Sequence, residues 1–430
     1  MKTGSVIYGM VPPMFGENPL RDAAKNLDKL KRLGVDIIWL SPVNQSDDIG
    51  MISYSVTDYF KIRSDYGTEA DLKYFVNQAH ARNIKVILDF VPNHTSAVHP
   101  FLLSAQELGE KSPYYDFYDR DENGDTTYYF DWEHLLNLNY SNIKVQNLMV
   151  DAFKYWIKEF DVDGYRIDVA WGIQERAPQF WKRAITEIRK IKPNAIMLAE
   201  GTAQNPQFIA SGFDLAYDWT DQLGVWAWKN AFDDFSNVGS HLKKYFANTD
   251  NLKTSTIRFI NNNDTGERFI SRFGPRVTKV AATLLHTIPG VPIIYNGDEI
   301  GAEFQPYDDP PAFMWNDPHR LTPFYEKLTT LRESYPALTD GSLELINTGS
   351  PQSLVFRRSL SEQELVVVFN FGSKTTVTLP APAKSINRSS GRGTRIYDLI
   401  TDKDVSYQSL PNGNILLQVP ATTSLILINQ

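Results

Sequence analysis

The sequence predicts an α/β fold, a (β/α)₈ barrel of the TIM type with an insertion after strand three and a C-terminal antiparallel β-domain. Three observations support this prediction. Strand and helix signals alternate from the start of the chain to Ser334. An excess of sequence rich in Tyr, Asp, Gly and Asn separates the third and fourth strand candidates. From about Ala337 the pattern changes to short apolar runs divided by turn residues.

Eight short runs rich in branched apolar residues are predicted to be the barrel strands, because segments with helical apolar spacing separate them. In chain order these runs are Val6–Val11, Ile37–Leu40, Lys85–Val91, Gly164–Ile167, Ala195–Ala199, Leu215–Trp219, Thr256–Ile260 and Pro292–Asn296. The predicted helices are Leu20–Leu33, Glu69–Arg82, Asn142–Phe160, Gln179–Ile191, Val238–Phe246, Lys279–His286 and Pro323–Ser334. This alternation favours a closed barrel of parallel strands.

The predicted domain limits follow from the same alternation. The barrel comprises residues 1–94 and 141–336, a loop-rich inserted domain comprises residues 95–140, and a β-sandwich-like domain comprises residues 337–430. An insertion of this length is more often a functional subdomain than a connector. In the last domain the predicted strands are Leu343–Asn347, Ser353–Arg357, Glu364–Phe369, Thr375–Leu379 and Ile415–Val419.

The composition is that of an ordinary globular protein, with 42% hydrophobic and 22% charged residues. The net charge is -8 and no dense stripe of Lys and Arg is present, so a nucleic-acid partner is not expected. The chain has no cysteine, and no apolar run reaches the roughly 18 residues that a membrane span needs. Because the start lacks a signal-peptide pattern, we expect a cytoplasmic protein if this is the full chain, and a secreted or periplasmic one if a leader was removed.

Three carboxylates stand where separate barrel strands are predicted to end. Asp168 follows GYRI, Glu200 follows IMLA and Asp264 follows RFINNN. The carboxyl ends of the strands of a parallel barrel meet at one face, so residues far apart in sequence can share a pocket there. Glycosidic-bond hydrolysis uses one carboxylate as nucleophile and another as proton donor, and a third can hold the sugar.

Neighbouring residues suggest different roles for these acids. Arg166 and Asp168 are two apart on a strand, so their side chains point to the same side, and the arginine favours an ionised nucleophile. Glu200 follows an apolar run, and partly apolar surroundings suit a general acid. Taken singly, each has another interpretation: a structural ion pair for Arg166 and Asp168, an exposed loop residue for Glu200 and a turn residue for Asp264.

The four segments DFVPNH, GYRID, MLAE and NND occur in this order at the ends of strands three, four, five and seven. Together they resemble the four signature regions of the α-amylase superfamily, glycoside hydrolase family 13. The similarity spans essentially the whole chain, since the insertion resembles the B domain of that family and the C-terminal part resembles its C domain. LLNLN at the end of the insertion resembles the short fifth region.

The resemblance implies a role for each matching residue. Asp168 would be the nucleophile that forms a glycosyl-enzyme, and Glu200 would be the acid and then the base. Asp264 would hold ring hydroxyls of the sugar at the cleavage point. Three further side chains would bind substrate or position the nucleophile: Arg166 beside Asp168, Tyr54 as an aromatic platform, and His94 on a sugar hydroxyl.

Several positions depart from the family pattern. Asn263 stands where the fourth region usually has His, and an amide cannot carry the charge of an imidazolium. Ser55 follows Tyr54 where exo-acting α-glucosidases commonly have Asp, and the segment Asp308–Trp315 lacks the Arg often found in the comparable stretch. The last two departures, Ser55 and the missing Arg, favour an open, endo-type cleft. Trp171, three residues after the nucleophile, is expected to stack on a sugar at an acceptor subsite, with core packing as the alternative.

A calcium ion is possible, although no cofactor is required for the predicted chemistry. By resemblance, Asn93 matches a calcium ligand of the family, whereas Asn139 stands where Asp is frequent and Gly172 replaces a His that supplies a backbone oxygen. Separately, Asp119, Asp121, Asn123 and Asp125 form a DxDxNGD pattern like the start of an EF-hand loop. The alternative for this pattern is a hairpin turn that contains Gly124.

The sequence therefore predicts a retaining, endo-type α-glycosidase that hydrolyses α-1,4 bonds in starch-type glucans or malto-oligosaccharides. A glucanotransferase that uses the same covalent intermediate is the first alternative. A glucan-binding protein with little catalysis is the second, because Asn263 weakens the match to the family.

Overall fold

The computed structural model describes residues 4–47, 52–219, 229–304, 307, 315–380 and 395–429. It contains a closed barrel of eight parallel strands, in which each strand neighbours the next one along the chain. In chain order, barrel strands one to eight are Ile7–Met10, Ile37–Leu40, Lys85–Phe90, Gly164–Ile167, Ile196–Thr202, Leu215–Tyr217, Thr256–Arg258 and Val291–Tyr295. The predicted TIM barrel is therefore confirmed, with all eight strands in the predicted places.

The barrel strands have apolar sequences because both of their faces are covered. Every residue of barrel strands one, two, four and eight is buried. Strands that are buried on both faces read as continuous apolar runs instead of alternating ones. Polar residues inside such runs are therefore unusual. The most informative of them is Asp89 in barrel strand three, which is 0% exposed.

The chain divides into two compact units, the first mainly Ile7–Tyr217 and the second mainly Asp218–Glu303 with Asn316–Gln430. The described helices of the first unit are Pro12–Phe15 (3₁₀), Pro19–Ala24, Leu27–Arg32, Glu69–His80, Pro100–Leu108, Gly109–Lys111 (3₁₀), Tyr115–Phe117 (3₁₀), Ile143–Phe160, Ala170–Arg176, Gln179–Ile191 and Pro206–Ser211. No helix among the described residues is both long enough and apolar enough to cross a membrane.

The helix predicted over Leu20–Leu33 is two helices, Pro19–Ala24 and Leu27–Arg32. The apolar spacing continues across the break, which is why the sequence predicts one helix. At the break, the Asn26 N–H donates to the Ala23 carbonyl 3.0 Å away, three residues back. This tighter turn interrupts the regular hydrogen-bond ladder of the α-helix.

The insertion after barrel strand three contains more regular structure than the expected loops. A three-stranded antiparallel sheet forms from His94–Ser96, Tyr128–Tyr129 and Trp132–Asn137, with the last strand in the centre. The helix Pro100–Leu108 begins at a proline, where the side chain of His99 accepts the Phe101 N–H. The predicted domain limits at residues 95–140 stay a prediction. A further two-stranded sheet, Asn44–Ser46 with Val56–Ile62, follows barrel strand two.

The described helices of the second unit are Lys229–Asp233, Val238–Ala247, Thr249–Leu252 (3₁₀), Phe269–Thr287, Asp298–Ile300 (3₁₀), Thr322–Ser334 and Pro336–Leu338 (3₁₀). The predicted helix Lys279–His286 is the C-terminal part of Phe269–Thr287. Gly274 has a φ of 76° and Pro275 follows it, so this element is two helical segments joined at a kink.

The C-terminal part of the second unit is antiparallel, which confirms the predicted fold class. A six-stranded sheet has the spatial order Ser342–Ile346, Ser353–Leu360, Gln363–Asn370, Thr423–Asn429, Ile396–Asp398 and Lys403–Asp404. A three-stranded sheet has the order Thr375–Pro380, Asn414–Val419 and Tyr407–Ser409. Apolar side chains of both sheets, such as Val366 and Leu417, form one buried cluster between them.

Arg358 shows how polar groups are accommodated inside this unit. Its side chain is 0% exposed, and its guanidinium donates to the carbonyls of Leu338 and Gly341, each 2.8 Å away. The neighbouring Arg357 is 23% exposed and pairs with Glu344 at 3.0 Å. The two adjacent arginines therefore allow a buried ion and a partly exposed ion of the same strand to be compared.

We expect Arg358→Met to lower the free energy of unfolding by about 3–5 kcal/mol, because each buried carbonyl left without a donor costs about 1–3 kcal/mol. Arg357→Met is the matched control and should cost at most about 1 kcal/mol, as is usual for surface pairs. Urea unfolding followed by tryptophan fluorescence measures both. Equal losses in the two variants would contradict the structural role assigned to Arg358.

Candidate active site

The candidate site lies at the carboxyl ends of barrel strands three, four and five. In the pairing register Phe90 is opposite Ile167, and Ile167 is opposite Ala199. The next residues of strands four and five are Asp168 and Glu200, so the register itself places the two predicted catalytic acids side by side. Strand five continues to Thr202 through an irregularity after Ala199, so Glu200 lies within the strand and not after its end.

Arg166 is the centre of the site, since its guanidinium contacts three carboxylates. Nη1 lies 2.8 Å from Asp89 Oδ1 and 3.0 Å from Asp168 Oδ1. Nη2 lies 3.1 Å from Glu200 Oε2, and Nε donates to the Tyr217 hydroxyl 3.1 Å away. Arg166 is 0% exposed. A guanidinium has five N–H donors in a rigid plane, which allows it to hold several acids at fixed angles.

The charge balance keeps Arg166 protonated. Burial alone would lower its pKa, but the charges of Asp89 and Glu200 outweigh burial and raise the pKa well above the ordinary arginine value. Removing one of these partners would leave a buried charge uncompensated, which is costly. The sequence predicted Arg166 as a neighbour of Asp168 only. The structure shows that it also contacts Asp89 and Glu200.

Asp89 is a residue of the site whose role the sequence did not reveal. Besides Arg166, it accepts hydrogen bonds from Trp39 Nε1 at 3.1 Å and from the Tyr54 hydroxyl at 3.0 Å. Burial raises the pKa of Asp89, whereas the guanidinium and these two donors lower it. A single acid within the apolar run KVILDF was the signal that could have identified it. Through Asp89 the predicted platform residue Tyr54 is tied to the same network.

Glu200 is oriented by the backbone of the loop that follows Asp168. The Val169 N–H donates to Glu200 Oε2 at 2.6 Å. Val169 has a φ of 46° and a ψ of 38°, which is rare for a β-branched residue. This strained conformation directly follows Asp168 and aims the N–H at Glu200. Strain of this kind persists only where the surrounding structure holds it, and it clusters at functional sites.

His94 and an aromatic group line the same region of the first unit. His94 Nε2 lies 3.2 Å from the Tyr54 carbonyl, and the ring stacks on Tyr129 at a centroid distance of 5.4 Å. Trp171 lies near Tyr129 and Phe130, at ring distances of 6.1 and 5.8 Å. Tyr129 and Phe130 of the insertion, together with Trp171 of the helix Ala170–Arg176, form an aromatic wall (Tyr129, Phe130 and Trp171) beside the loop that follows Asp168.

Asp264 and Asn263 belong to the second unit, on the loop after barrel strand seven. The side chain of Asn262 accepts the Asp264 N–H at 2.8 Å, and Asn263 Nδ2 donates to Asp264 Oδ1 at 3.1 Å. Asn263 is buried, whereas Asp264 is exposed. The amide that replaces the family histidine therefore contacts the third carboxylate directly. The roles predicted for Asp264 and Asn263 stay predictions.

The residues of the DxDxNGD pattern form a hairpin turn. Asp121 Oδ1 accepts the N–H groups of Asn123 and Asp125, both at 2.9 Å, and the backbone pairs Arg120 with Thr126. The Asp119 carboxylate pairs with Arg176 instead of turning towards this loop. In the described parts of the chain, no group of three or more His, Asp or Glu side chains could hold a metal ion.

The geometry defines a barrel enzyme with two adjacent carboxylates held by one arginine, which is an arrangement suited to glycosidic-bond chemistry. The family model for the α-amylase catalytic domain matches residues 19–317. The chain therefore belongs to the α-amylase family, and it is a glycoside hydrolase of the α-amylase type.

Individual relatives agree with this assignment. The chain is 32% identical over 399 residues to the α-amylase MalA of Haloarcula japonica, covering 90% of this chain and 58% of that protein. It is 25% identical over 517 residues to a probable oligo-1,6-glucosidase of Bacillus subtilis, covering 87% and 91%. The crystal structure of an α-amylase from H. orenii matches with a TM-score of 0.82 and 25% identity over 100% of both chains.

His94 gives the site a testable response to pH. Burial lowers the pKa of His94 to about 3 from the ordinary histidine value of about 6.5, so the folded protein holds the ring neutral. As the pH falls from about 6.5 to about 3, the unfolded state takes up this proton first, and the contribution of His94 to stability is lost. We expect His94→Gln to flatten the dependence of the free energy of unfolding on pH in this window.

The exposed residue His134 offers the matched control for that experiment. Urea unfolding at several pH values between 4 and 8 should show a shallower slope for His94→Gln than for the wild type and for His134→Gln. A slope that is the same in all three proteins would contradict the buried, neutral state of His94.

Proposed function

We propose that the protein is a retaining, endo-type α-glycosidase that hydrolyses α-1,4-glucosidic bonds of starch-type glucans and malto-oligosaccharides by double displacement. The observation that carries this proposal is the guanidinium of Arg166, which contacts Asp168 Oδ1 at 3.0 Å and Glu200 Oε2 at 3.1 Å. A retaining enzyme needs a nucleophile and a proton donor at a fixed short separation. One buried cation bound to both acids meets this requirement.

In the first step, Asp168 attacks the anomeric carbon while Glu200 gives its proton to the glycosidic oxygen. The C–O bond to the leaving sugar breaks, and a covalent ester forms between the sugar and Asp168. Arg166 favours the ionised carboxylate that this attack requires, because an adjacent positive charge stabilises the anion. The network of Trp39, Tyr54 and Asp89 holds that arginine in place.

In the second step, Glu200 removes a proton from a water molecule, which attacks the anomeric carbon and displaces Asp168. The proton that Glu200 lost in the first step is thereby restored, and the configuration at carbon is retained after two inversions. The Val169 N–H holds Oε2 of Glu200 at 2.6 Å. The orientation of the carboxyl group is therefore the same in both steps.

We assign to Asp264 the binding of sugar hydroxyls at the cleavage point, as its position after barrel strand seven and its match to the fourth signature region suggest. Asn263 donates to its Oδ1 at 3.1 Å and would limit how this carboxylate reaches the sugar. A neutral amide here adds less positive field than an imidazolium would. The strength of transition-state binding at this subsite should therefore differ from that in family members with a histidine at this position.

The proposal of an endo-type cleft depends on Ser55. This buried residue follows the platform residue Tyr54, and its N–H donates to Ser53 Oγ at 3.3 Å. A serine here offers no carboxylate to close the end of the cleft. Of the segment Asp308–Trp315, residues 308–314 lie outside the described residues, so the missing Arg remains an argument from sequence alone.

Asp168→Asn should lower kcat on maltoheptaose by at least about 10³-fold, because the nucleophile is lost. Glu200→Gln should lower kcat/KM, which reports the first step, by about 10²–10⁴-fold on maltoheptaose but much less on a nitrophenyl maltoside, whose leaving group needs no acid. A fluorinated maltosyl fluoride should label the wild type, and peptide mass spectrometry should place the label on Asp168.

Asp151 provides the matched control for the nucleophile, because it is an exposed aspartate on the helix Ile143–Phe160. Asp151→Asn should keep wild-type turnover. Normal hydrolysis by Asp168→Asn, or a label on another residue, would disprove the assigned mechanism. Product analysis of starch, pullulan, cyclodextrin and maltotriose, with the anomeric form followed by NMR, tests linkage preference and retention.

The aromatic wall favours a second candidate function, transfer of the glucosyl unit to a sugar. Trp171 is only half-buried, and its Nε1–H has no hydrogen-bond partner among the described residues. The Nε1 atom itself is buried, so only the partly exposed ring, three residues from the nucleophile, is suited to stack on an acceptor sugar. A sugar bound there would compete with water for the glycosyl-enzyme.

We expect Trp171→Ala to lower the ratio of transfer products to hydrolysis products formed from maltotriose, since the acceptor loses its stacking surface. Trp171→Phe keeps an aromatic face and removes only the N–H donor, so it should retain most of the transfer. Mass spectrometry of the product ladder measures the ratio. An unchanged ratio in Trp171→Ala would show that this residue only packs against the insertion.

A further inference from the structure

The guanidinium of Arg176 is surrounded by oxygen atoms from its own helix and from three other parts of the chain. Nη1 donates to the carboxylate of Asp119 and to the Leu138 carbonyl, the latter at 2.9 Å. Nη2 donates to the side-chain oxygen of Asn93, and Nε donates to the Gly172 carbonyl at 3.2 Å. Arg176 is the last residue of the helix that follows the nucleophile. One side chain therefore satisfies a carboxylate, an amide oxygen and two backbone oxygens.

The segments that Arg176 contacts belong to different parts of the first unit, and its hydrogen bonds hold them together. Asn93 ends the connection out of barrel strand three, and Gly172 lies just after the loop that follows Asp168. Asp119 lies in the middle of the insertion, where its N–H donates to the Asn137 carbonyl at 2.9 Å, and Leu138 lies near the end of the insertion. The N–H of Leu138 also donates to the Asn93 carbonyl at 3.0 Å, so the root of the insertion closes on the same point. The Arg176 guanidinium is at the centre of this junction.

A carboxylate, an amide oxygen and backbone carbonyls are the ligands that calcium prefers in proteins. Sequence resemblance names Asn93 and the backbone of position 172 as family calcium positions, and Asp119 belongs to the separate acidic pattern. In the structure, all three direct an oxygen at Arg176. A guanidinium is a permanent cation that only donates hydrogen bonds, so a calcium ion would meet like charge at the same place. These residues do not fit a bound calcium ion.

We propose that Arg176 is a built-in cation that replaces calcium at this junction and fastens the insertion to the loop that follows Asp168. Burial raises the pKa of Asp119, and the positive charge of Arg176 opposes that shift. The arginine thus supplies the charge that a metal would supply. A covalently attached cation is not lost to chelators or to dilution, so the protein should need no calcium to hold its insertion in place.

A hydrogen-bond path connects this cation with the catalytic acids, which makes Arg176 a positioning residue. Arg176 binds the Gly172 carbonyl, and the Gly172 N–H donates to the Val169 carbonyl at 3.1 Å. The Val169 N–H in turn holds Glu200. Adding a Cβ at Gly172 would place it 3.0 Å from the Val169 side chain and 3.2 Å from Asn93 Oδ1, so this path is closely packed. Loss of the cation should therefore loosen both the insertion and Glu200.

The wild-type protein gives the first test. After purification in buffer with and without EDTA, it should contain less than one calcium ion per chain by elemental analysis. Its melting temperature and its kcat/KM on maltoheptaose should be the same in EDTA and in millimolar calcium. One tightly bound calcium per chain, or a lower melting temperature in EDTA, would overturn the proposal without any variant.

Arg176→Ala gives the second test, because it leaves the oxygen atoms without their cation. We expect a lower melting temperature and a fall in kcat/KM of about 10–100-fold, as for other residues that orient a functional shell. Millimolar guanidinium or calcium should restore part of the melting temperature and part of kcat/KM. Calorimetric titration should now detect calcium binding to the variant. Rescue by a small cation is a result that a purely packing role would not produce.

Two further variants complete the design. Arg176→Lys keeps the charge and loses the planar fork, so its losses should be smaller than those of Arg176→Ala. Arg183→Ala is the matched control, because Arg183 is bound to Gln146 and to Asn147 on the neighbouring helix. Small cations should not rescue any loss in Arg183→Ala. If Arg176→Ala is as stable and as active as the wild type, or if added cations never restore it, the proposal is wrong.

Discussion

The buried guanidinium of Arg166 is the interaction on which the rest of the site depends. It is enclosed by Asp89, Asp168 and Glu200, and burying its charge without these partners would be costly. A buried ion network of this kind contributes little to net stability. Its value lies in geometry, since one rigid plane of donors sets the relative positions of Asp168 and Glu200.

Around Arg166 the backbone is locally strained, and long-range contacts stabilise the strained conformation. Val169 adopts a left-handed conformation that a β-branched residue avoids, and its N–H reaches Glu200 as a result. The packing around Gly172 and the hydrogen bonds of Arg176 keep this turn in place. The insertion is thus connected to Glu200 through the side chain of Arg176 and the backbone between Val169 and Gly172. Tyr129 and Phe130 of the insertion also contact Trp171 in the aromatic wall.

Much of the fold could be predicted because its signals are local. The eight strands were recognisable as apolar runs, and the antiparallel C-terminal strands were recognisable from their turns. Errors arose where the apolar pattern and the hydrogen-bond ladder differ. Leu20–Leu33 keeps helical spacing across a break, and the helix at Lys279–His286 extends beyond a Gly-Pro kink. In the insertion, the helix Pro100–Leu108 was not predicted, although a proline and a histidine cap mark its start.

For the site, the sequence by itself determined which residue types are available and which side of a strand they face. The alternation of side chains placed Arg166 and Asp168 together, and the order of the motifs singled out Glu200. Only the tertiary structure decided that Asp89 is a buried partner of Arg166. It also decided that Arg176 lies among the oxygens of Asn93, Asp119 and Gly172, the positions for which the sequence suggested calcium. Asp89 and Arg166 are 77 positions apart, and Asn93 and Arg176 are 83 positions apart. These contacts depend on strand register and on the path of the insertion, which no local pattern encodes.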